Sequence, residues 1–383
     1  MPWKETRVMD EKIRMISNWL SGEYNITELS RIHKVSRKTL YKWIERYEAD
    51  QDSGLQEWSR RPLAMPRATP PELVAEILAS KSQHEHWGPR KILVWLRSHQ
   101  PEKSWPAAST MSLILKRHGM IHVRHKRHHT PPYSQPFLKS NQPNEVWCAD
   151  FKGQFQLGAG GLCYPLTLTD SYSRYLLGCW GLEHTTYLTT RSYFELAFRE
   201  YGLPSAIRTD NGVPFASVGL GGLSSLAVWF IKLGICPERI EKGHPEQNGR
   251  HERMHRTLKS EAISPPRKNM KEQQRVFDRF RASYNDDRPH EALGQRTPAS
   301  IYRSSAREYP AKLPGAEYPE NFSVRHVKRG GGFKWRNQEL YLSQALSGEL
   351  IGLKEIDIAL QKIYFSFYPV GILDERTMRI TPC

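Results

Sequence analysis

Three carboxylates at the ends of predicted secondary-structure elements constrain the fold of this chain most strongly. Asp150 closes the apolar run NEVWCAD, and Asp210 follows the apolar run SAIRT. Short apolar runs bounded by turn residues are typical of buried strands. Glu252 instead lies between Gln247 and about Ser264, a stretch of helix formers without proline. Two carboxylates are therefore predicted to leave strand ends, and one to leave a helix.

Carboxylates that converge in an apolar fold raise one another's pKa unless cations lie between them. Mg²⁺ prefers oxygen ligands and keeps several waters, so two Mg²⁺ ions can share three acidic side chains with a DNA phosphate. Two ions about 3.5 to 4 Å apart hold the attacking and leaving oxygens of an in-line displacement at phosphorus. The pattern predicts metal-dependent phosphoryl transfer with two Mg²⁺ ions per site, for which Mn²⁺ is an acceptable substitute.

The sequence around these carboxylates resembles a known family. The stretch Asn248–Lys259 is NGRHERMHRTLK, and Tyr284–Gly294 is YNDDRPHEALG. With the two aspartates, these blocks resemble the integrase-core transposases of bacterial insertion sequences, and retroviral integrases look like more distant relatives. The resemblance implies a ribonuclease-H-like core, Mg²⁺, and cutting and joining of transposon-end DNA. It also implies that Asp150, Asp210 and Glu252 form a catalytic and metal-binding DDE triad.

The separation between Asp210 and Glu252 is a few positions longer than is usual in this family. The extra residues are assigned to the stretch VGLGGLSS, which begins at Val218. Glu246 lies nearer the usual distance, but in a predicted loop, whereas the surroundings of Glu252 match the family's helix. Glu252 is therefore preferred, and Glu246 is the alternative. Asp170, in the run LTLTDSYSR, is by contrast assigned to a hairpin turn.

Polar side chains beside Glu252 are predicted to contact DNA. Arg253, Arg256 and Lys259 lie at positions suited to contacting the donor strand, and the alternative for them is a solvated helix face. Gln247 and Asn248 belong to a loop that is expected to organise the same strand. These five residues complete the predicted DNA contacts of the catalytic region.

The charge and length of the chain agree with a nucleic-acid partner. The chain has 383 residues, a formal net charge of +16 and a pI near 9.6. Its length suits about two to four domains, and its charge attracts polyanions. No apolar run approaches the roughly 20 residues of a membrane span, and charged residues interrupt the N-terminus where a signal peptide would be apolar. No membrane partner is therefore expected, and the expected location is the bacterial cytoplasm, in association with the nucleoid.

The five cysteines show no paired CxxC spacing, which favours reduced thiols in a cytosolic protein. No cysteine precedes Cys148, so the histidines between His118 and His129 lack thiolate partners for a structural zinc. Basic residues interleave those histidines. The stretch is therefore predicted to be a basic linker and not a zinc module.

The N-terminal region has the succession of short helices and turns that is typical of a helix-turn-helix unit. Helical periodicity predicts three helices, Asp10–Leu20, Ile26–His33 and Val35–Ile44. Ser36 is a suitable N-cap for the third. Arg37, Lys38 and Lys42 fall on one side of that helix, opposite an apolar side, as a recognition helix in a major groove requires. An ordinary amphipathic helix with solvated lysines is the alternative.

A linker rich in arginine and proline follows, and a minor groove is a suitable binding place for it. Three of its arginines are predicted to contact DNA: Arg60, Arg61 and Arg67. Pro71 is predicted to open a second helical unit, because a proline in the first turn has no N–H to leave unsatisfied. Two further helices of that unit are predicted, Trp87–Leu96 and Ser109–Arg117.

The central region is predicted to form a mixed sheet with helices on its faces. Its predicted strands are Val146–Phe155, Tyr164–Thr169, Tyr175–Leu182 and Ala206–Thr209. Its predicted helices are Leu188–Tyr201, Leu223–Leu233 and Lys271–Tyr284. Ligands of open sheets gather near strand ends, where the two aspartates are expected to meet. Beyond about residue 315, short, evenly spaced strands predict a small β-barrel, SH3-like by analogy with integrases.

The predicted fold class is multidomain: all-α helix-turn-helix units, an α/β ribonuclease-H-like core and a small C-terminal β-barrel. The predicted segments are a helix-turn-helix domain (1–57), a basic Pro-rich linker (58–70), a second helical DNA-binding domain (71–126), a basic linker (127–140), the integrase catalytic core (141–305) and the β-barrel (315–383).

The sequence as a whole predicts a DDE transposase. Such an enzyme binds the inverted repeats at transposon ends, cleaves DNA to free 3′ hydroxyls, and joins them to target DNA by transesterification. A sequence-specific regulator with an inactive core and a metal-dependent nuclease without joining activity are the alternatives. Because two ends must be joined together, self-association to at least a dimer on paired ends is expected. A helper ATPase stays an open alternative among the partners.

Overall fold

The computed structural model describes residues 8–58, 68–121, 140–217, 222–240 and 249–383. The chain divides into two units, Met1–Thr69 and Pro70–Cys383. The first contains helices only, within its described residues. The second contains a helical group, a mixed sheet flanked by helices, and a C-terminal β region.

The described part of the first unit has helices α1 (Val8–Leu20), α2 (Ile26–Ile32) and α3 (Arg37–Gly54). Asn25 begins α2 with a capping box, because its side chain accepts from the backbone of Glu28 while the Glu28 carboxylate accepts from the backbone of Asn25. Ser36 caps α3 through a hydrogen bond from the Thr39 N–H. The predicted helix-turn-helix is confirmed, although α3 continues well beyond its predicted end at Ile44.

The apolar side of α3 forms the core of this unit. Leu40, Trp43 and Ile44 are buried there. The Lys12 ammonium lies 3.5 Å from the centre of the Trp43 ring and donates to the Leu55 carbonyl, which satisfies a cation that is only 8% exposed. The predicted apolar side of α3 is therefore buried, and the Lys12 ammonium packs on the aromatic ring of Trp43 at that side.

The second unit opens with α4 (Pro71–Gln83), α5 (Pro89–His99) and α6 (Ala108–Arg117). Pro71 and Pro89 occupy first-turn positions, as expected for residues without an N–H. The three helices enclose an apolar core, with these members fully or nearly fully buried: Ile77, Trp87, Ile92, Leu96, Met111 and Leu115. The predicted helical group is confirmed. Within the described ranges, no helix of the chain has the combined length and apolar character that crossing a membrane requires.

A six-stranded mixed sheet forms the central part of the second unit. Its strands are β1 (Val146–Phe151), β2 (Phe155–Gln156), β3 (Leu162–Asp170), β4 (Leu176–Leu182), β5 (Ala206–Thr209) and β6 (Cys236–Arg239). β3 is antiparallel to both β1 and β4, whereas β5 is parallel to both β1 and β6. The predicted mixed sheet is confirmed. β6 was not predicted, because Pro237, Glu238 and Arg239 interrupt its apolar pattern.

Four helices accompany this sheet: α7 (Tyr187–Tyr201), α8 (Ser225–Lys232), α9 (Gly249–Leu258) and α10 (Met270–Ala282). A π-helical turn, Lys259–Ile263, follows α9 directly. α10 lies against β4, where the Gln274 amide accepts from the Gly181 N–H and donates to the Cys179 carbonyl. These two hydrogen bonds fix α10 against the backbone of β4.

The C-terminal region contains short strands, turns and one short 3-10 helix, Gln344–Leu346. Its strands are β7 (Ser323–His326), β8 (Gly332–Trp335), β9 (Gln338–Tyr341), β10 (Leu350–Asp357), β11 (Leu360–Phe365), β12 (Tyr368–Asp374) and β13 (Arg379–Pro382). The described residues form a five-stranded sheet in the order β13-β12-β11-β10-β7 and a separate β8–β9 hairpin. The predicted closed barrel is not confirmed, because β8 and β9 pair with each other and do not connect β7 to β13.

Asp170 closes β3 at a tight turn, as predicted. Its Oδ2 accepts hydrogen bonds from the Ser173 N–H at 2.7 Å and the Ser173 hydroxyl at 2.6 Å. Its Oδ1 accepts from the Asn144 N–H at 2.8 Å. Asp170 is 0% exposed, so water cannot reach its carboxylate. The three donors therefore have this carboxylate as their acceptor in place of water. Asp170 therefore stabilises the β3–β4 hairpin and the approach to β1.

Replacing Asp170 by alanine should destabilise the protein by about 3 kcal/mol or more, since two buried donors of Ser173 and the half-buried N–H of Asn144 lose their acceptor. The measurement is chemical denaturation followed by tryptophan fluorescence. Glu195→Ala is the matched control, because Glu195 pairs with Arg199 on an exposed helix surface and such pairs contribute about 0.5 kcal/mol or less. Equal denaturation midpoints for the two variants would contradict this role of Asp170.

Candidate active site

The pairing of β1 and β5 positions the two predicted catalytic aspartates. Ala149 in β1 is paired in parallel with Thr209 in β5. Asp150 and Asp210 follow these paired residues directly, so they lie side by side near the C-terminal ends of the two strands. Glu252 lies in the first turn of α9 and is exposed. The three carboxylates thus come from two neighbouring strands and one helix, as predicted.

The negative charges of Asp210 and Glu252 both raise the pKa of Asp150. Its side chain is 17% exposed, and burial, followed by the charge of Asp210, raises its pKa from 3.8 to about 7. Glu252 contributes a smaller increase in the same direction, while the N–H of Phe151 lowers the pKa. Burial also raises the pKa of Asp210, against a hydrogen bond from the Gly212 N–H. Of the three carboxylates, Asp150 is therefore the one whose negative charge is least favourable.

This donor set fits a divalent cation. A carboxylate that is removed from water beside two others is unfavourable when charged, and a hard cation with oxygen ligands offsets that penalty. Asp150 and Asp210 offer oxygen ligands at one sheet edge, and Glu252 offers another from α9. These residue types therefore suit Mg²⁺, but the carboxylate oxygens of Asp150, Asp210 and Glu252 do not all lie within 4.8 Å of one another.

Two buried histidines of α9, which the sequence analysis missed, lie beside Asp150. Nε2 of His251 and Nε2 of His255 each lie 2.7 Å from Oγ1 of Thr167. Burial lowers the pKa of His251 to about 3 and that of His255 to about 2. Both imidazoles are therefore neutral, and the 3.7 Å contact between His255 Nδ1 and Asp150 Oδ2 is not an ion pair.

Asp150, His251 and His255 also bring potential metal-ligand atoms within 4.8 Å of one another. Across the described ranges, no other group of three or more such residues is this close. The spacing H-x-x-x-H, one helical turn around Glu252, could have indicated the pair, since residues four apart share a helix face. His255 belongs to the motif that carries the family resemblance, but that resemblance implies a metal-binding role for the carboxylates alone.

The predicted DNA contacts are distributed over several parts of the chain. Arg253, Arg256 and Lys259 are exposed on α9 and the π-helical turn. In the first unit, the described predicted contacts are all exposed on α3: Arg37, Lys38 and Lys42. The following predicted residues lie outside the described ranges: Arg60, Arg61, Arg67, Gln247, Asn248 and the alternative triad member Glu246.

Comparison with protein families identifies two kinds of domain in the chain. Two models described as integrase core domain match residues 140–245 and 233–298. A helix-turn-helix domain model matches residues 11–62, and a homeodomain-like domain model matches residues 39–115. Residues 140–298 are therefore similar to integrase core domains, and residues 11–115 are similar to helix-turn-helix domains. The function of the chain is of the integrase or transposase type, with helix-turn-helix domains for DNA binding.

Similar proteins come from bacterial insertion elements. An uncharacterized 39.2 kDa protein of insertion element IS476 from Xanthomonas euvesicatoria is 26% identical over 296 residues, which are 75% of this chain and 81% of that protein. An uncharacterized 31.7 kDa protein of insertion element IS407 from Burkholderia multivorans is 28% identical over 160 residues, 42% of this chain and 55% of that protein. Among solved structures, the HTLV-2 integrase catalytic core domain in complex with magnesium has 17% identity and a TM-score of 0.34, and the match covers 43% of this chain and 99% of that one.

Asp150→Asn should stabilise the metal-free protein at about pH 8. The folded state raises the pKa of Asp150 from 3.8 to about 7, so it binds this proton more tightly than the unfolded chain does. The proton on Asp150 thus stabilises the folded state fully below the pKa of the unfolded chain, 3.8, and this stabilisation is lost as the pH rises through about 7. The expected gain in the variant is up to about 4 kcal/mol, since the pKa rises by about three units and each unit corresponds to about 1.4 kcal/mol.

Thermal denaturation in a chelator, from about pH 5 to about pH 8, measures this effect. The difference between variant and wild type should grow with pH, and Mg²⁺ should stabilise the wild type more than the variant. Asp286→Asn, at an exposed position just after α10, is the control and should show no such trend. A pH-independent difference for Asp150→Asn would contradict the assignment of an unfavourable charge to Asp150.

Proposed function

We propose that the protein is a DDE transposase. It binds the terminal inverted repeats of an insertion element, cleaves DNA at the ends to free 3′ hydroxyls, and joins these hydroxyls to target DNA. The observation that carries this proposal is the parallel pairing of β1 with β5, which brings Asp150 next to Asp210, within residues that match an integrase core domain.

Asp150, Asp210 and Glu252 are the proposed ligands of two Mg²⁺ ions, with Mn²⁺ as a substitute. When bound there, such ions supply a water of lowered pKa and positive charge for the phosphoryl oxygens. The two aspartates hold their carboxylates rigidly, because they extend from paired strands. Glu252 is exposed on the first turn of α9, where DNA has access to it.

The exposed cations beside Glu252 are the proposed contacts of the donor strand. Arg253 and Arg256 are separated by one turn of α9, and Lys259 follows in the π-helical turn. Side chains three residues apart lie on the same side of a helix. Their charges are suited to DNA phosphates, and Gln247 and Asn248 precede them in the chain as further proposed contacts.

Both proposed reactions exchange one oxygen at phosphorus for another. In cleavage, a water oxygen replaces the 3′ oxygen of the neighbouring nucleotide, which leaves as the 3′ hydroxyl. In joining, that 3′ hydroxyl attacks a target phosphodiester, and a target 3′ oxygen leaves. No covalent bond between protein and DNA is needed, so the residues only bind and orient the metal ions and the DNA.

Asp150→Asn, Asp210→Asn and Glu252→Gln should each lower cleavage and joining by about a thousandfold or more, since each ~1.4 kcal/mol of barrier is a factor of ten in rate. The measurement uses purified protein, labelled DNA with the element's terminal inverted repeats, and supercoiled target in Mg²⁺. Glu246→Gln is the matched control and should retain activity. Near-normal cleavage by Asp210→Asn, or activity lost in Glu246→Gln but kept in Glu252→Gln, would contradict the triad.

The same experiment separates the proposal from its alternatives. End binding without metal-dependent products would identify a regulator with an inactive core. Metal-dependent hydrolysis that never joins an end to the target would identify a nuclease. Both alternatives share the helix-turn-helix domains or the triad with a transposase, so only joined products distinguish the three.

Arg37, Lys38 and Lys42 are the proposed contacts of α3 with end DNA. Alanine at all three should weaken end binding by at least tenfold and make binding less dependent on salt, because about one unit of the salt slope is lost with each phosphate contact. Fluorescence anisotropy over a range of salt concentrations measures both effects. Arg14→Ala, on the exposed side of α1, is the control and should change neither. An unchanged salt slope in the triple variant would show that α3 is not the DNA-contacting helix.

We further propose that the linker arginines Arg60, Arg61 and Arg67 contact DNA between the two helical units. Two ends must be processed in one assembly, so the proposed active form on paired ends is at least a dimer. The proposed site of action is the nucleoid of a bacterial cell. The reaction as proposed does not require a helper ATPase.

A further inference from the structure

One ring nitrogen of His255 faces the carboxylate of Asp150. His255 is 6% exposed, and its Nδ1 lies 3.7 Å from Oδ2 of Asp150. Its Nε2 lies 2.7 Å from Oγ1 of Thr167. The same hydroxyl lies 2.7 Å from Nε2 of His251 and 3.1 Å from the carbonyl oxygen of Asp150. Thr167 therefore has three polar neighbours within hydrogen-bond distance.

The hydroxyl of Thr167 has one proton and two lone pairs, which limits how these contacts are arranged. The proton goes to the carbonyl oxygen of Asp150, because a carbonyl can only accept. The two lone pairs then accept N–H groups from Nε2 of His251 and Nε2 of His255. A neutral imidazole has a single N–H, so Nδ1 of His255 keeps a lone pair beside Asp150.

His251 differs from His255 in this respect. Its Nε2 donates to Thr167, and its Nδ1 lies 3.0 Å from the Thr169 hydroxyl, which also donates to the Cys148 carbonyl at 3.5 Å. Both nitrogens of His251 are therefore occupied inside the protein, even though it belongs to the group of potential ligands within 4.8 Å. Of the two imidazoles, His255 is the one whose lone pair is directed towards the carboxylate.

The distance between the two donor atoms suits a shared metal ion. At 3.7 Å, Oδ2 and Nδ1 are too far apart for a direct hydrogen bond. Two ligands each about 2.1 Å from one ion lie about 3.4 Å apart at a tetrahedral angle, so a shift of about 0.3 Å brings the pair into range. We propose that Nδ1 of His255 and the carboxylate of Asp150 are ligands of the same divalent first-row transition-metal ion. The inference rests on the metal centre of the proposed function.

An imidazole ligand changes which ion this position prefers. Mg²⁺ takes oxygen ligands and loses its waters reluctantly, whereas imidazole nitrogen suits first-row transition metals. A position with one carboxylate oxygen and one imidazole nitrogen therefore binds Mn²⁺ more tightly than Mg²⁺. Carboxylates alone would bind the two ions with much less discrimination. His255 is thus the residue that determines metal specificity beside Asp150.

Pulsed electron paramagnetic resonance of Mn²⁺ bound to the purified full chain tests this directly, because it detects the nuclear-spin coupling of a coordinated imidazole nitrogen. The expected result is a nitrogen coupling in the wild type and none in His255→Asn. The variant should also bind Mn²⁺ at least about tenfold more weakly, the lower end of the loss caused by removing even an outer-shell partner. Its Mg²⁺ affinity, measured by competition, should change much less. His251→Asn is the matched control and should keep the coupling.

The outcomes separate this inference from the proposed function. Mn²⁺ binding that is lost in Asp150→Asn, without any nitrogen coupling in the wild type, would overturn the role of His255 and leave the carboxylate centre intact. Mn²⁺ binding that persists in Asp150→Asn would overturn the metal centre itself. If His255→Asn does not fold, the wild-type spectrum alone decides, since an absent nitrogen coupling excludes the imidazole ligand.

Discussion

The position of β1 between β3 and β5 is the constraint on which the rest of the core depends. β1 is antiparallel to β3 on one side and parallel to β5 on the other, and Trp147 and Ala149 are completely buried. A slip of one residue in this strand would turn its buried side chains to the other face of the sheet. The apolar side chains thus fix the register, and the register places Asp150 next to Asp210. The hydrophobic effect supplies the free energy that holds two like charges at one edge.

A single side chain links this register to α9. Thr167 is the residue of β3 paired with Asp150, and its hydroxyl contacts both imidazoles of α9. The orientation of the helix that carries Glu252 is therefore coupled to the strand that carries Asp150. Leu258 and Met254 of α9 are buried in the apolar cluster on the same side of the sheet. Apolar packing holds α9 in place, and the hydroxyl–imidazole contacts determine its rotation.

Much of this arrangement could be predicted from the sequence, because it depends on local patterns. The strand Ala206–Thr209 and the cap at Ser36 follow from an apolar run and from a side chain that suits a helix start. β6 could not be predicted, since its place in the sheet depends on pairing with β5 and not on its own mixed composition.

The closure of the C-terminal sheet and the burial of His251 and His255 were missed for a related reason. Whether strands close a barrel is decided by which edges meet, and that involves residues far apart in sequence. A histidine in a helix has the same local pattern whether it faces solvent or a neighbouring strand. The threonines of β3 that receive these imidazoles lie more than eighty positions away. Only the tertiary fold brings them together.

The charges around α9 have opposite effects on a DNA strand. The exposed Arg253 and Arg256 attract phosphate, as does the net charge of +16 on the whole chain. The carboxylates of Asp150 and Asp210 repel it, and their repulsion is strong because Asp150 is largely withdrawn from water. Under the proposed function, long-range attraction brings DNA to the helix, whereas close approach to the carboxylates requires a local positive charge. Metal and DNA binding at this edge should consequently favour each other, because each supplies charge that offsets the cost of the other.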